Sequence, residues 1–429
     1  MTNIHLLVLI HGMWGNPRHV AELARVARET HAKESEDGTL LHVLLVETIQ
    51  EDSTYDGVDW GGERVAKEVL KAVKELESEG DNVIRFSATG YSLGGLIARY
   101  CVGILYQQKF FDKVKPVNFN TIATPNCGLP SYPTFFSSVK SLFGPRLLSR
   151  TGEQFYCVDK WSPTGRPLLV VMADPDRVFY QALAQFEHIR IYANGINDIT
   201  VPYVTAAIEV ADPFADYEIS GLEVDEKDGF PHLVKGYTRP KTPPPPPPKP
   251  AALTVDWFKG LKPTRPLIPL PPFLQFRFPF NIVLYGFLPV LIPAFIALAL
   301  TRLSLASRKS RARIRTLEKE ASESENKTLL SIFEEIEREV EEAVVDFIDN
   351  PDPTPIYQSK SVKKLHPIIT PTHKRIAAWL NTLPLEKEIS FFPGVLNSHA
   401  MIICRDIKRF EVHKRGEGVV RHWATSLVI

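Results

Sequence analysis

The first 240 residues alternate between short apolar runs and helix-like stretches, and this alternation limits the possible fold more than any other feature. The apolar runs are rich in Val, Ile and Leu and have the length of strands. They cover residues 6–10, 43–46, 83–88, 117–123, 168–172 and 189–193. Between them, residues 63–77 place apolar side chains at helical spacing. Buried strands that alternate with helices predict an α/β fold with a mostly parallel sheet covered on both faces.

Composition and charge exclude several classes of protein. The 429 residues contain 50 Lys and Arg against 50 Asp and Glu. The chain therefore lacks the excess of positive charge that would indicate nucleic-acid binding. The four cysteines, Cys101, Cys127, Cys157 and Cys404, lack the paired spacing of a disulfide framework or a zinc site, which favours a reducing compartment. The apolar run at residues 4–10 is too short for a signal peptide, so we expect no secretory leader.

The alternating pattern stops near residue 240. Fourteen prolines fall within residues 240–279, and the run at 243–248 should extend as polyproline II. An uncharged segment and a basic cluster follow. Residues 329–348 then predict an acidic amphipathic helix. The basic cluster consists of Arg302, Arg308, Lys309, Arg311, Arg313 and Arg315. Strand-like runs at 389–392 and 401–404 then return. The sequence therefore predicts a globular core in two parts, 1–240 and 351–429, separated by an insertion at 241–350.

Residues 278–300 carry no charge over 23 positions, a length at which a membrane-embedded segment is expected. The segment could be a spanning helix, a buried core helix or a hairpin embedded in one leaflet. Pro289 and Pro293 would break a straight helix. Basic residues flank both ends, so the charge pattern does not favour opposite sides of a membrane. We therefore predict a membrane-embedded hairpin.

Gly90-Tyr91-Ser92-Leu93-Gly94 is a G-x-S-x-G sequence between a strand-like run and a helix-like run at 96–105. A sharp strand-to-helix turn lifts a serine oxygen out of a sheet, and the flanking glycines relieve the crowding. The helix N-terminus also directs N–H groups toward developing negative charge. This context predicts that Ser92 is a nucleophile, although the bare pattern also occurs in structural turns.

His11-Gly12-Met13-Trp14 follows the first apolar run, where a loop can complete an oxyanion hole. Such a hole needs two backbone N–H groups aimed at the tetrahedral oxygen. We expect one from Leu93 and the other from Met13, with Trp14 as the next choice. His11 would then brace the loop by hydrogen bonding and would not be the general base.

The acid and the base of a catalytic triad are less constrained. Asp198 and Asp174 both follow strand-like runs after Ser92, and Asp198 lies in the tighter polar loop. A histidine placed after the acid is His232, His366, His373, His399, His413 or His422. His232 is close to Asp198 along the chain, whereas His399 directly follows a strand-like run. The residues alone leave His232 and His399 as equal candidates.

Several motifs coincide in order along the chain. They are His11-Gly12, Gly90-Tyr91-Ser92-Leu93-Gly94-Gly95, Thr124-Pro125-Asn126-Cys127-Gly128, and Asn197-Asp198 with Val201-Pro202. In these residues the chain resembles the "putative serine esterase" family of lipase-like α/β-hydrolases. Asn397-Ser398-His399-Ala400 and the hydrophobic insertion resemble more narrowly its fungal lipid droplet phospholipases. The likeness covers residues 4–205 and roughly 385–405. It implies an α/β-hydrolase fold with Ser92 as nucleophile, Asp198 as acid and His399 as base.

The resemblance also implies an activity and a location. It implies hydrolysis of acyl esters of glycerophospholipids or lysophospholipids through an acyl-enzyme, on the cytosolic face of lipid droplets or of the endoplasmic reticulum membrane. Triacylglycerols and sterol esters remain open as substrates. This chemistry requires no metal and no other cofactor. A serine acyltransferase and a catalytically idle membrane adaptor are the alternatives, and residues 243–248 could recruit a partner with an aromatic-lined groove.

One position departs from the family pattern. Family members often carry a histidine after the Thr-Pro or Ser-Pro pair, whereas Asn126 stands here. This departure leaves the role of the loop open and does not affect the three predicted triad residues.

Overall fold

The structure, a computed structural model, describes residues 2–240, 280–323 and 366–429. The predicted proline run at 243–248 and the predicted helix at 329–348 lie outside the described residues. The predicted domain boundaries near residues 241 and 350 lie outside them too.

Eight strands of the described residues form one sheet. They are β1 (Asn3–Ile10), β2 (Thr39–Leu45), β3 (Asn82–Tyr91), β4 (Lys115–Ile122), β5 (His188–Asn194), β6 (Glu223–Lys227), β7 (Phe230–Thr238) and β8 (Leu385–Ser390). Their order is β2-β1-β3-β4-β5-β8-β7-β6. The first six in this order are parallel, and β7 and β6 are antiparallel to their neighbours. The predicted mostly parallel sheet is confirmed, and the C-terminal segment supplies one of its parallel strands.

Twelve α-helices of the described residues connect and cover these strands. They are α1 (Ala21–Thr30), α2 (Val58–Ser78), α3 (Leu93–Gln107), α4 (Phe135–Leu147), α5 (Ser149–Phe155), α6 (Leu168–Ala173), α7 (Val178–Leu183), α8 (Tyr203–Ala206), α9 (Tyr217–Ser220), α10 (Phe280–Glu323), α11 (Pro371–Leu380) and α12 (Glu417–Thr425). Short 3-10 turns include Glu51–Tyr55, which precedes α2.

Strand β1 shows why both faces of the sheet are buried. Leu6 and Val8 join a hydrophobic cluster with residues of α2 and α3, whereas Leu7 and Leu9 join a second cluster with residues of α1 and α12. Successive side chains of a strand point to opposite faces of its sheet. A strand buried on both faces therefore reads as a continuous apolar run, as β1 does in the sequence.

Two strand predictions are wrong. Residues 168–172 belong to α6, and residues 401–404 form a series of turns. Periodicity does not distinguish a short buried helix from a strand when every residue is apolar. In addition, β4 pairs directly with β5, so no place exists between them for a strand at residues 168–172.

Helix α10 is continuous from Phe280 to Glu323 and contains both Pro289 and Pro293. Residues 280–300 therefore run without the turn that a hairpin at 278–300 requires, and this part of the prediction is corrected. A proline already has a φ close to the helical value, so a helix can bend at a proline without ending there. Among the helices that the structure describes, none is long and apolar enough to cross a membrane.

Candidate active site

Ser92 occupies the turn between β3 and α3. Its φ of 55° and ψ of −125° lie outside the regions that a non-glycine residue prefers. The Ser92 amide donates a hydrogen bond of 2.8 Å to the carbonyl of Ile122 on the neighbouring strand β4. Such backbone strain persists only where the surrounding structure fixes it, and it is concentrated at functional sites. The side chain is 8% exposed, so its hydroxyl faces a nearly closed site.

Two glycines allow the backbone around Ser92 to pack closely. A Cβ atom on Gly94 would collide with the carbonyl oxygens of Ile10 and His11. A Cβ atom on Gly12 would lie 2.8 Å from Ser92 Cβ and 3.3 Å from Ser92 Oγ. The loop after β1 therefore lies directly against the predicted nucleophile, and a larger residue at Gly12 would occupy space beside the serine oxygen.

Ser92, His399 and Asp198 form a continuous hydrogen-bonded chain. The distance between Ser92 Oγ and His399 Nε2 is 3.1 Å, and the distance between His399 Nδ1 and Asp198 Oδ2 is 2.9 Å. Ser92 and His399 are 307 residues apart in the sequence. The structure therefore brings together the three residues that the sequence analysis assigned to a triad, in the order nucleophile, base and acid.

Asp198 is held in place by donors from its own loop. Asn194 Nδ2, at the end of β5, donates to Asp198 Oδ2 at 2.8 Å. The amides of Thr200 and Val201 donate to Oδ1 at 3.0 Å and 2.8 Å. The Asp198 side chain is 1% exposed, so these donors take the place of water around the carboxylate. Sequence reasoning missed Asn194, although its position four residues before Asp198 at a strand end was a usable signal.

The loop that carries His399 is tied to the Asp198 loop through its neighbour Ser398. The Ser398 amide donates to the carbonyl of Asn197 at 2.9 Å, and Ser398 Oγ donates to the carbonyl of Ile196 at 2.9 Å. Asn197 in turn donates from Nδ2 to the carbonyl of Phe392, just beyond β8. These bonds fix the distance between the base and the acid.

Met13 directly follows Gly12 in the loop after β1 and stays the predicted second oxyanion donor. Leu93 is the first residue of α3, and the first N–H groups of a helix have no acceptor within it. The Trp14 amide already donates to Thr54 Oγ1 at 3.2 Å, which favours Met13 over Trp14. His11 is fully buried, and its Nδ1 donates to the carbonyl of Gly12 at 3.1 Å. Burial lowers the pKa of His11, consistent with a neutral ring that braces this loop.

The competing acid and base lie elsewhere. Asp174 accepts a hydrogen bond of 2.6 Å from Arg166. His232 lies at the start of β7, where Arg415 Nε donates to its Nε2 at 3.3 Å. Burial, with the positive charge of Arg415, lowers the pKa of His232. In this structure neither residue takes part in the hydrogen-bonded chain at Ser92.

Asn126, where family members often carry histidine, has a structural environment. It is buried, and its Nδ2 donates to the carbonyl of Ala206 at 3.1 Å. The backbone carbonyl of Asn126 accepts a hydrogen bond of 3.1 Å from Arg99. Burial lowers the pKa of Arg99 to about 10. These contacts join the loop after β4 to α3 and α8 and do not involve Ser92.

A cavity of about 320 Å³ lies beside the acid. Its lining includes Asn194, Asp198, Tyr132 and Phe214, but neither Ser92 nor His399. Within the described ranges, His, Cys, Asp and Glu residues form no cluster that could hold a metal ion.

Comparisons with known proteins find similarity over about half of the chain. Residues 1–210 match the model of the family described as "Putative serine esterase (DUF676)". The "Putative lipase C4A8.10" of Schizosaccharomyces pombe is 32% identical over 214 residues, which are 49% of this chain and 26% of that protein. The "Putative lipase ROG1" of Saccharomyces cerevisiae is 27% identical over 212 residues, 48% of this chain and 28% of that protein. The chain thus spans about a quarter of the length of these relatives.

Solved structures show more distant likenesses. The "putative cell surface hydrolase from Lactobacillus plantarum WCFS1" is 14% identical with a TM-score of 0.29, covering 48% of this chain and 75% of its own. "Phospholipase PlaB from Legionella pneumophila" is 15% identical with a TM-score of 0.27, and the match covers 47% of this chain and 41% of that chain.

From the family match and the motifs within it, residues 1–210, which carry both Ser92 and Asp198, belong to the "putative serine esterase" family.

Proposed function

We propose that this chain is a serine carboxylic-ester hydrolase, a lipase or phospholipase that works through an acyl-enzyme on Ser92. The observation that carries the proposal is the hydrogen-bonded chain from Ser92 Oγ through His399 to Asp198. Its support is the strained turn at Ser92, the Gly12–Met13 loop beside it and the family match of residues 1–210. The names of the yeast relatives as lipases agree with it.

The proposed roles of these residues account for each step of acyl transfer. His399 Nε2 accepts the proton of Ser92 as Oγ attacks the ester carbonyl carbon, and the carbonyl oxygen becomes an oxyanion facing the Met13 and Leu93 amides. Asp198 holds the Nδ1–H tautomer and stabilises the imidazolium that forms. His399 then gives its proton to the leaving alcohol. Water attacks the acyl-enzyme by the same route, which releases the fatty acid and restores Ser92.

We propose that the substrates are acyl esters of glycerophospholipids or lysophospholipids at a lipid surface. Two neighbouring elements support this class of substrate, because both leave large apolar side chains exposed. Helix α10 does so at Val290, which is 67% exposed, and at Leu298, and α4 does so at Leu142 and Phe143. A large contiguous patch of exposed apolar side chains on a globular protein marks an interaction site. The first half of α10 would lie on the cytosolic face of a lipid droplet or endoplasmic reticulum membrane.

Product analysis tests this function. The purified full chain would be incubated with phosphatidylcholine liposomes and with a short water-soluble ester, and the free fatty acid measured. We expect release from both, and a Ser92→Ala variant should lose all but a residual activity, about 10³–10⁴-fold above water, since the serine carries the covalent step. Wild-type protein should also react with a fluorophosphonate at Ser92. Activity above a few per cent in Ser92→Ala would overturn the assignment of the nucleophile.

A further inference from the structure

Helix α10 contacts the core through the buried carboxylate of Asp56, which lies between the turn Glu51–Tyr55 and α2. Asp56 is 0% exposed. Ser310 Oγ donates to Asp56 Oδ1 at 2.7 Å, and Arg313 donates from Nε to Oδ2 at 2.8 Å and from its amino group to Oδ1 at 2.6 Å. Arg64 of α2 also donates a hydrogen bond of 2.7 Å to Asp56 Oδ2. Ser310 and Arg313 are three residues apart, so they share one face of the helix.

Further contacts fix the same part of α10. Ser307 Oγ donates to the carbonyl of Arg146 at the end of α4, at 2.8 Å. Arg150 of α5 forms an ion pair with Glu318 at 3.0 Å. Ile314 lies between these polar contacts and is buried in the larger hydrophobic cluster. The second half of α10 is therefore packed on the core, while the first half keeps exposed apolar side chains.

The turn Glu51–Tyr55 joins this contact to the loop after β1. On one side, Arg313 also donates to the carbonyl of Asp52 at 2.9 Å. On the other side, Tyr55 Oη accepts from Trp14 Nε1 at 2.7 Å, and Thr54 Oγ1 accepts from the Trp14 amide at 3.2 Å. The amide of Glu51 donates to the carbonyl of Gly15 at 3.1 Å. Three bonds thus hold the residues that directly follow Met13.

Trp14 itself needs this support. Its φ of 54° is unfavourable for a bulky residue, and such a conformation persists only where neighbouring contacts fix it. The Met13 N–H belongs to the Gly12–Met13 peptide, so contacts that hold Trp14, the next residue, limit the movement of that peptide. A donor must lie within about 2.7–3.1 Å of the developing oxyanion, so a small rotation of the loop would weaken its effect.

We propose that Ser310 and Arg313 are positioning residues for ester hydrolysis, and that through Asp56 and the turn Glu51–Tyr55 they hold the Met13 oxyanion donor in place. The inference rests on the proposed function and extends it, because it makes the helix with the lipid-facing segment a structural part of the catalytic site. Loss of Arg313 would leave Asp56 buried with fewer donors, and the turn would shift to hydrate that carboxylate.

Steady-state kinetics on a short water-soluble ester test this role without a lipid surface. The variants are Arg313→Gln, Arg313→Lys and, at the other end of the connection, Tyr55→Phe. The matched control is Arg315→Gln, two residues away on the exposed surface of α10. Removal of one oxyanion donor costs about 10²–10³ in kcat, so we expect misplacement of one to cost about tenfold.

The expected result is a tenfold lower kcat with an unchanged KM for Arg313→Gln and Tyr55→Phe, a smaller loss for Arg313→Lys, and no change for Arg315→Gln. The rate of fluorophosphonate labelling at Ser92 should fall in parallel. Circular dichroism at the assay temperature would confirm that each variant is folded, and Tyr55→Phe carries the test where Arg313→Gln fails to fold.

Two results separate the failure of this inference from the failure of the proposed function. Wild-type kcat in Tyr55→Phe and in folded Arg313→Gln, with labelling and hydrolysis intact, would overturn the positioning role alone. Wild-type protein that neither hydrolyses the ester nor reacts with the fluorophosphonate would overturn the proposed function and the positioning role together.

Discussion

Tyr91 Oη donates a hydrogen bond of 3.0 Å to the backbone carbonyl of His399, 308 residues away in the sequence. The two rings also lie close, with centroids 5.1 Å apart. Tyr91 directly precedes Ser92 at the end of β3, so the same strand end positions the predicted nucleophile and the loop of the predicted base. Burial raises the pKa of Tyr91, so its hydroxyl remains a donor at neutral pH.

Tyr91→Phe should lower kcat for a soluble ester about three- to tenfold. The phenyl ring keeps the packing, but the His399 carbonyl loses its donor and the imidazole is less well positioned. Steady-state kinetics check this, with KM expected to stay within twofold of the wild-type value. An unchanged kcat would show that the Ser398 and Asn197 contacts alone position the histidine.

His399→Ala and His232→Ala form a paired test of the base. The first should lose activity to the same degree as Ser92→Ala, because the proton of Ser92 then has no acceptor. The double Ser92→Ala/His399→Ala variant should be no worse than either single variant, since members of one catalytic unit are strongly non-additive.

His232→Ala is the control in this pair and should keep most of the activity, because His232 contacts Arg415 and not Ser92. Initial rates on one soluble ester decide between the two. An inactive His232→Ala variant beside an active His399→Ala variant would contradict the geometry at Ser92.

Gly12→Ala should lower kcat at least tenfold and lower the free energy of unfolding by about 1–3 kcal/mol. Its Cβ would lie 2.8 Å from Ser92 Cβ, so the loop with the Met13 amide must move away from the serine. Gly236→Ala on β7 is the matched control, because a Cβ there would meet no atom within 4 Å. Kinetics and thermal unfolding measured together would separate the two effects. Wild-type kcat in Gly12→Ala would argue against an oxyanion donor in this loop.

Deletion of residues 267–300 should release the protein from membranes and keep turnover of a short soluble ester. The deletion removes the exposed apolar part of α10 but leaves Ser307, Ser310 and Arg313 on the core. Hydrolysis of phospholipid in vesicles should fall much further, because anchoring raises the local concentration of substrate. Flotation with liposomes and the two assays measure this, and equal losses on both substrates would mean that the segment supports folding.

Local sequence was sufficient where local chemistry decides the structure. The turn at Ser92 could be predicted because Gly90 and Gly94 permit a strand-to-helix turn that larger residues would block. Strand β1 could be predicted because burial on both faces requires an unbroken apolar run. Asp198 was favoured because a polar loop after a strand provides the amide donors that a buried carboxylate needs.

Tertiary structure decided what depends on residues far apart in the chain. Position in the sequence left His232 and His399 as equal candidates, and only the pairing of β8 with β5 brings the loop of His399 to Asp198. Residues 168–172 form a helix, and the direct pairing of β4 with β5 leaves no place between these strands for another one. The contact of Arg313 with Asp56 joins residues 257 positions apart, and no local pattern marks it. Such contacts form only when the folded core brings a buried carboxylate and a distant cation together, so their energy has no counterpart in local sequence.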